Sequence, residues 1–246
     1  KTTENLESSN VVAVLPGTDK KEEYLMLTGH YDHLGKRGDV IYYGADDDGS
    51  GTVSVMQMAE AFSTAAKKGF KPRRTIVFMT VSGEEKGLWG SDYYSEHPLF
   101  PLDKTTADLN TDMVGRVDTE RHLGDTLNYV YVIGHDKLSS DLVVINEAAN
   151  KASSNITLDY KYDDPADKNM IYYRSDHYNF AKKGVPILFF YDGMLLADYH
   201  QPSDTIEKIN FDLMQKRVSM VFHTACEIAQ RDDMLKRDIP LNMPAR

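Results

Sequence analysis

Short apolar runs alternate with longer amphipathic segments along most of this chain. Apolar runs of about 4–8 residues favour buried strands, whereas apolar residues recurring about every 3.6 positions favour helices. The short runs predict strands at Val11–Leu15, Tyr24–Thr28, Thr75–Val81, Ala107–Asp112, Tyr129–Ile133 and Val185–Tyr191. The amphipathic segments predict helices at Thr52–Ala66, Leu88–Glu96, Ser139–Lys151 and Phe211–Arg231. Because strands and helices interleave, the pattern predicts an α/β fold.

The length of 246 residues fits one large domain, and we expect residues 1–246 to share a single core. A charged segment, 232–246, follows the last predicted helix, and we expect it to lie on the surface as a tail. The chain begins with Lys1 rather than Met, so we interpret it as a fragment of a longer precursor.

Composition disfavours several classes of function. Hydrophobic residues make up 41% and charged residues 27%, as in soluble globular proteins. No apolar run approaches the roughly 20 residues of a membrane span, so we expect none in this chain. The 38 acidic residues outnumber the 28 basic ones, which argues against a nucleic-acid partner. Cys226 is the only cysteine, which excludes an internal disulfide and a thiolate-rich metal site.

Five short motifs along the chain carry oxygen or nitrogen donors. They are GHYDH with His30, GADDDGSG with Asp47, SGEE with Glu84 and Glu85, NTDMVGR with Asp112, and DYHQPSDT with His200. Three of these motifs come at or just after the end of a predicted strand, where open α/β sheets bind their ligands. Two imidazoles and three carboxylates suit two divalent ions that share one bridging carboxylate, and the additional glutamate supplies a base. The set predicts one shared metal site.

The histidine motif has two interpretations. Strand alternation would send His30 and Asp32 to the same side, so His30 can bind a metal while Asp32 takes the other ring N–H. Alone, this pattern is as typical of an ordinary surface or turn. We interpret His33, just past the pair, as a hydrogen-bonding or solvated histidine, with a second ligand as the alternative.

The acidic run Asp46–Asp48 would repel itself unless cations neutralise it. A calcium-binding EF-hand is excluded, because the loop position that needs glutamate is Gln57. The alternative is a solvated acidic turn that caps the helix beginning near Thr52.

In SGEE, one glutamate can bind metal while its neighbour serves as base. The alternative is an acidic pair in the first turn of the next helix, favoured by the helix dipole. Asp112 and His200 are weak indicators individually, and each has a structural interpretation. Only the ordered set of motifs carries the prediction.

The motifs GHYDHLG, GADDDGSGT, GEEKGLWGS, ADLNTDMVGR, YYRSDHYNFAKKGVP and DYHQPSDT resemble those of the M28 metallopeptidases, the co-catalytic zinc aminopeptidases, especially bacterial ones. The resemblance runs from Asn10 to Arg231. It implies one catalytic metallopeptidase domain with a three-layer αβα fold around a mixed, mostly parallel, twisted sheet.

The same resemblance implies two Zn²⁺ ions and assigns the site residues. Asp47 would bridge the ions, with Glu85 and His200 on one and His30 and Asp112 on the other. Glu84 would be the general base, and Asp32 would act with His30 in the catalytic set. A cis peptide bond between Asp47 and Asp48 is also implied.

The implied activity is that of a zinc-dependent exopeptidase, which removes N-terminal residues from peptides through a metal-bridging water activated by Glu84. Family members are often exported, which implies a periplasmic or secreted location. The alternatives are a single-zinc glutaminyl cyclase, an M20-type carboxypeptidase and a non-catalytic M28-like binding domain. The intact His30 and Asp112 argue against the cyclase, and the segment from Asp112 to His200 leaves little room for the lid domain of M20 enzymes. A binding domain has no reason to keep every donor.

The chain departs from the family pattern in one place. Many relatives have H-x-D-Y-H where this chain has GMLLADYH, and we expect this difference to affect the substrate pocket. Tyr172–His177, including Arg174 and Asp176, matches a family segment near the site, but a loop capping the next helix through Ser175 or Asp176 is an equal interpretation.

Overall fold

A computed structural model describes residues 7–243. Within that range the strands are β1 (Val11–Leu15), β2 (Lys20–His30), β3 (Gly35–Arg37), β4 (Val40–Tyr42), β5 (Arg74–Val81), β6 (Thr105–Thr111), β7 (Tyr129–Ile133), β8 (Thr157–Asp159) and β9 (Ile187–Tyr191). The α-helices are α1 (Gly49–Lys67), α2 (Trp89–Glu96), α3 (Asp141–Ala152), α4 (His177–Ala181) and α5 (Phe211–Gln230). Every predicted strand and helix is present, with bounds shifted by a few residues.

The main sheet has the strand order β1-β5-β2-β6-β9-β7-β8 in the described part of the chain. Pairings β5/β2, β2/β6, β6/β9 and β7/β8 are parallel, whereas β1/β5 and β9/β7 are antiparallel. The prediction of a mixed, mostly parallel sheet is therefore confirmed. Strands β3 and β4 form a separate antiparallel ribbon, which is too short for periodicity to predict.

Alternating residues of the central strands build two separate cores. Leu25 and Leu27 of β2 pack on one face with α1 and α5, for example against Met58. Met26 of the same strand packs on the other face, in the cluster that contains Phe180 of α4. Each fully buried side chain of this size contributes about 1.5–3 kcal/mol of transfer free energy. Helices thus cover both faces, as the three-layer prediction requires.

The segment after α5 is not wholly a surface tail. Leu235 is 4% exposed, and its backbone N–H donates to Thr106 Oγ1 at 2.9 Å. The expectation of a surface tail is wrong at this position, because an isolated leucine among charged residues still finds an apolar pocket. Residues 244–246 of the tail lie outside the described residues. Among residues 7–243, no helix is long and apolar enough to cross a bilayer.

The strand order gathers the donor motifs at one edge of the sheet. Strands β5, β2, β6 and β9 are neighbours and run in the same direction. His30 ends β2, Asp112 follows β6, and the turn with Glu84 follows β5. Carboxyl ends of parallel strands border one crevice, so residues distant in sequence meet there.

Candidate metal centre

The acidic run forms the floor of this crevice. Asp46, Asp47 and Asp48 are at most 3% exposed, so the interpretation as a solvated acidic turn is wrong. The carboxylate of Asp48 accepts the backbone N–H groups of Gly51, at 2.8 Å, and His30, at 3.0 Å. It therefore caps α1 and joins that helix to β2.

Asp46 also has a structural role. Its carboxylate accepts the N–H of Gly115 at 2.8 Å, while the Asp204 carboxylate accepts the backbone N–H groups of Asp46 and Asp47 at 3.1 Å. Of the three adjacent acids, only Asp47 points its carboxylate at imidazoles. The peptide bond between Asp47 and Asp48 is cis, as the family resemblance implies.

The two oxygens of Asp47 face different histidines. Oδ1 lies 3.3 Å from His30 Nε2, and Oδ2 lies 3.2 Å from His200 Nε2. His30 Nε2 is also 3.7 Å from Asp112 Oδ1, and His200 Nε2 is 2.9 Å from Glu85 Oε2. Of the five donors predicted from sequence, four thus surround the carboxylate of the fifth, Asp47, in two groups.

Asp32 orients the site in a way the sequence did not predict. The nearer acceptor for His30 Nδ1 is the Asp32 backbone carbonyl, at 3.0 Å, whereas the Asp32 carboxylate lies at 3.7 Å. That carboxylate instead accepts the backbone N–H groups of Glu84, at 3.1 Å, and Glu85, at 3.3 Å. Asp32 therefore fixes both the ring of His30 and the turn that carries the two glutamates.

Burial and nearby charges shift the pKa values of the acids in this cluster in opposite directions. Burial opposes ionisation of Asp47 and Glu85, but the surrounding imidazoles, His200 foremost, together outweigh it and lower the pKa of each carboxyl. For Glu84, burial is the largest influence and raises its pKa well above the usual value, with Asp112 adding to the rise. The pKa values of the two adjacent glutamates therefore differ. The lowered pKa favours an ionised Glu85, as a metal ligand requires, and the raised pKa makes Glu84 the better proton acceptor, as a general base requires.

Several buried polar atoms in this cluster have no hydrogen-bond partner among residues 7–243. They are His30 Nε2, Asp47 Oδ2, Glu85 Oε1 and both ring nitrogens of His33. Other buried polar atoms of the described residues also lack partners, but here five such atoms lie together on ligand-type side chains, which is the arrangement that an ion would satisfy. One donor set, His30, Asp47 and Asp112, and another, His33, Asp47 and Glu85, each has ligand atoms within 4.8 Å of one another. Nitrogen and carboxylate donors in these numbers suit zinc.

The position of His33 differs from the prediction. Its side chain is only 9% exposed, so it is not a solvated histidine, and Nδ1 lies 2.9 Å from Glu85 Oε1. Sequence reasoning gave it little weight because a histidine in a loop is usually solvated. Its place in the same short motif as His30 was the available signal.

A pocket opens beside the donors. Its lining contains the acidic residues Asp47, Glu84 and Asp112 together with Met113, Ile171, Arg174, Phe189, Tyr191, Leu195 and Tyr199. Leu195 belongs to the stretch in which the chain departs from the family pattern. A larger apolar groove between α1 and α5 lies apart from these donors.

Arg174 supports the second histidine indirectly. Its guanidinium donates to Tyr199 Oη at 3.0 Å, and the Tyr199 ring stacks on His200 with centroids 3.8 Å apart. Asp176 and His177 are buried deeper. Asp176 occupies the N-cap position of α4 but accepts a hydrogen bond from Ser91 rather than from the helix.

A family model for peptidase family M28 matches residues 10–225. The chain belongs to this family. Among the M28 relatives, a probable leucine aminopeptidase of Arthroderma otae is 29% identical over 225 residues, which cover 89% of this chain and 57% of that protein. The chain therefore spans little more than half the length of such relatives.

Solved structures share the fold. A zinc aminopeptidase from Bacillus subtilis superposes with a TM-score of 0.69 at 23% identity, covering 94% of this chain and 53% of that one. A glutaminyl cyclase from Porphyromonas gingivalis superposes with a TM-score of 0.65 at 16% identity, covering 89% and 77%. At these identities the similarity shows the fold of this chain only. Its chemistry has to be inferred from the residues of the site.

Proposed function

We propose that this M28 chain is the catalytic domain of a zinc-dependent aminopeptidase that binds two Zn²⁺ ions. One observation carries the proposal: Asp47 presents Oδ1 to His30 at 3.3 Å and Oδ2 to His200 at 3.2 Å. A carboxylate with a separate nitrogen donor beside each oxygen is suited to bridging two ions. The names of the relatives support the same activity.

Two groups of residues would hold the ions. His30 and Asp112 complete one group with Asp47, and Glu85 and His200 complete the other. Asp32 keeps His30 oriented through its carbonyl, which fixes the ring nitrogen that faces the ion. Bound zinc supplies Lewis-acid chemistry, which acidifies water and polarises a peptide carbonyl.

Glu84 is the residue that moves the proton. Its carboxylate lies 3.8 Å from His30 Nε2 and lines the pocket without belonging to either ligand group. Burial raises its pKa, so it accepts a proton from water more readily than an exposed glutamate does. The hydroxide that remains adds to the peptide carbonyl carbon, the C–N bond breaks, and Glu84 returns its proton to the departing amine.

The pocket favours an apolar first residue. Ile171, Phe189 and Leu195 line the same pocket as the acidic groups. A substrate with its first side chain among these residues places its positively charged α-amine near Asp112 and Glu84, where opposite charge stabilises it. This arrangement favours removal of the N-terminal residue over internal cleavage.

A panel of aminoacyl-p-nitroanilides tests the activity. Leucyl, alanyl, lysyl and glutamyl substrates are compared with and without 1,10-phenanthroline, and N-acetyl-leucyl-p-nitroanilide serves as the control for the free amine. We expect metal-dependent hydrolysis that is fastest for the leucyl substrate and absent for the acetylated one. Hydrolysis at an unchanged rate in the presence of the chelator, or equal hydrolysis of the acetylated and free leucyl substrates, would contradict the proposal.

The likeness to a glutaminyl cyclase keeps one other function open. A cyclase would release ammonia from an N-terminal glutaminyl peptide and would need a single zinc. Ammonia release from glutaminyl-2-naphthylamide without release of naphthylamine would favour that function. We expect the reverse, because both donor groups around Asp47 are complete.

We also propose a bacterial source and an exported location, periplasmic or secreted. Both proposals rest on the family resemblance of the motifs. Fractionation of a host that expresses the full-length precursor tests the location, since an exported enzyme collects outside the cytoplasm.

A further inference from the structure

His33 lies against the second group of donors without making a hydrogen bond there. Its Nδ1 is 2.9 Å from Glu85 Oε1 and 3.8 Å from Asp47 Oδ2. Despite these short distances, neither ring nitrogen has a hydrogen-bond partner in the described part of the chain, and Glu85 Oε1 has none either. The two atoms therefore lie close together without meeting the geometry of a hydrogen bond.

Such spacing is typical of two ligands on one ion. Zinc holds nitrogen and oxygen donors at about 2.0–2.2 Å, so two donors on one zinc lie about 3–3.5 Å apart. The distance from His33 to Glu85, 2.9 Å, lies just below this range. The distances from His200 Nε2 to Asp47 and Glu85 are similar, at 3.2 and 2.9 Å.

The backbone is shaped to admit the His33 ring. Gly44 has a φ of +62°, and a Cβ at this position would come within 2.4 Å of His33 Cγ. The ring also packs against His200 with centroids 5.9 Å apart at an interplanar angle of 69°. Two imidazoles thus lie on opposite oxygens of Glu85, and each is held by its own neighbours.

We propose that His33 is a further ligand of the zinc ion held by Asp47, Glu85 and His200, bound through Nδ1. This inference rests on the proposed function, because it needs that ion. With His33, this ion has two nitrogen and two carboxylate donors, whereas the ion at His30 and Asp112 has one nitrogen. The second ion would then be held by more nitrogen donors than the ion beside His30.

The competing interpretation is that His33 only donates a hydrogen bond to Glu85. Two substitutions separate the interpretations. In His33→Asn the side-chain amide stands near the place of Nδ1, so it can donate the same hydrogen bond but is a poor zinc ligand. His33→Ala removes both properties. His223→Ala, at an exposed position on α5, is the matched control.

Zinc affinities for each equivalent are measured by competition with a fluorescent chelator, and zinc-loaded crystals are measured at the zinc absorption edge. We expect His33→Asn and His33→Ala both to weaken one equivalent about 10–100-fold, and His223→Ala to leave both equivalents unchanged. In wild-type crystals we expect an ion within about 2.3 Å of His33 Nδ1.

Three outcomes decide between the proposals. Two tight equivalents in both the wild type and His33→Asn would overturn the role of His33 and leave the proposed function standing. An ion more than about 3 Å from Nδ1 in the wild-type crystal would do the same. A single equivalent in the wild-type protein would overturn the two-zinc function itself, and the role of His33 with it.

Discussion

The carboxylate of Asp32 accepts the backbone N–H of Glu84 at 3.1 Å. This bond ties the loop after β2 to the turn after β5, and the neighbouring N–H of Glu85 binds the same carboxylate at 3.3 Å. The residue whose carbonyl contacts His30 thus also positions Glu84 and Glu85, the proposed base and the proposed ligand, through its side chain.

We therefore expect Asp32→Ala to weaken zinc binding about 10–100-fold and to lower kcat/KM as well. Asp32→Asn should be milder, because its amide oxygen still accepts one of the two N–H groups. Chelator competition and steady-state kinetics measure the two effects. Wild-type affinity and rate in Asp32→Ala would show that neither bond matters.

Glu84→Gln should separate chemistry from metal binding. We expect kcat to fall by about 10²- to 10⁴-fold, because the amide cannot take up a proton, while the zinc content stays that of the wild type. Glu96→Gln, which removes only a surface ion pair with Lys183, is the control. Turnover close to wild type in Glu84→Gln would remove Glu84 from the role of base.

Zinc should stabilise the folded protein in proportion to the logarithm of its free concentration. Asp47, Glu85 and Asp112 carry like charges at close range, and an ion that binds only the folded state adds about 2.7 kcal/mol at 100 times its Kd. The melting temperature should rise with zinc and fall with EDTA. The melting temperature of Asp47→Ala should depend much less on zinc. A wild-type melting temperature that does not change with zinc would contradict a zinc site in the folded protein.

His177 should make stability sensitive to acid. Burial lowers its pKa to about 3 in the folded protein, where it contacts the Tyr172 carbonyl through Nε2 at 2.8 Å. Its ordinary pKa is 6.5. As the pH falls below 6.5, His177 therefore binds a proton in the unfolded chain but stays neutral in the folded protein. The free energy of unfolding then decreases by up to about 1.4 kcal/mol per pH unit.

Urea unfolding of the metal-free protein between pH 7.5 and 5 measures this effect. His177→Gln keeps a donor for the Tyr172 carbonyl but cannot titrate, so its stability should fall less steeply with acid. The difference in slope between the two proteins isolates His177 from the other histidines. Parallel slopes would show that His177 is not held neutral.

The apolar runs predicted the strands of the main sheet and the strand-end positions predicted the meeting of the donors, because both are local properties of the sequence, whereas the mixed, mostly parallel arrangement was implied by the family resemblance. The ribbon of β3 and β4 and the short β8 were missed, since three residues carry no period. Leu235 was missed because a single apolar residue gives no pattern.

Within the site, the sequence identified which residues could act as donors but not their detailed contacts. The choice of the Asp32 carbonyl over its carboxylate depends on how the loop turns after β2. The burial of His33 depends on Gly44, which lies in another motif and has the left-handed backbone that lets the ring approach. Such contacts between loops are tertiary, and no spacing within one motif contains them.

Diffraction from zinc-loaded crystals at the zinc absorption edge tests the central claim most directly. We expect two anomalous peaks about 3.5–4 Å apart, one on each side of the Asp47 carboxylate. A single peak, or two peaks that do not share Asp47, would contradict the account.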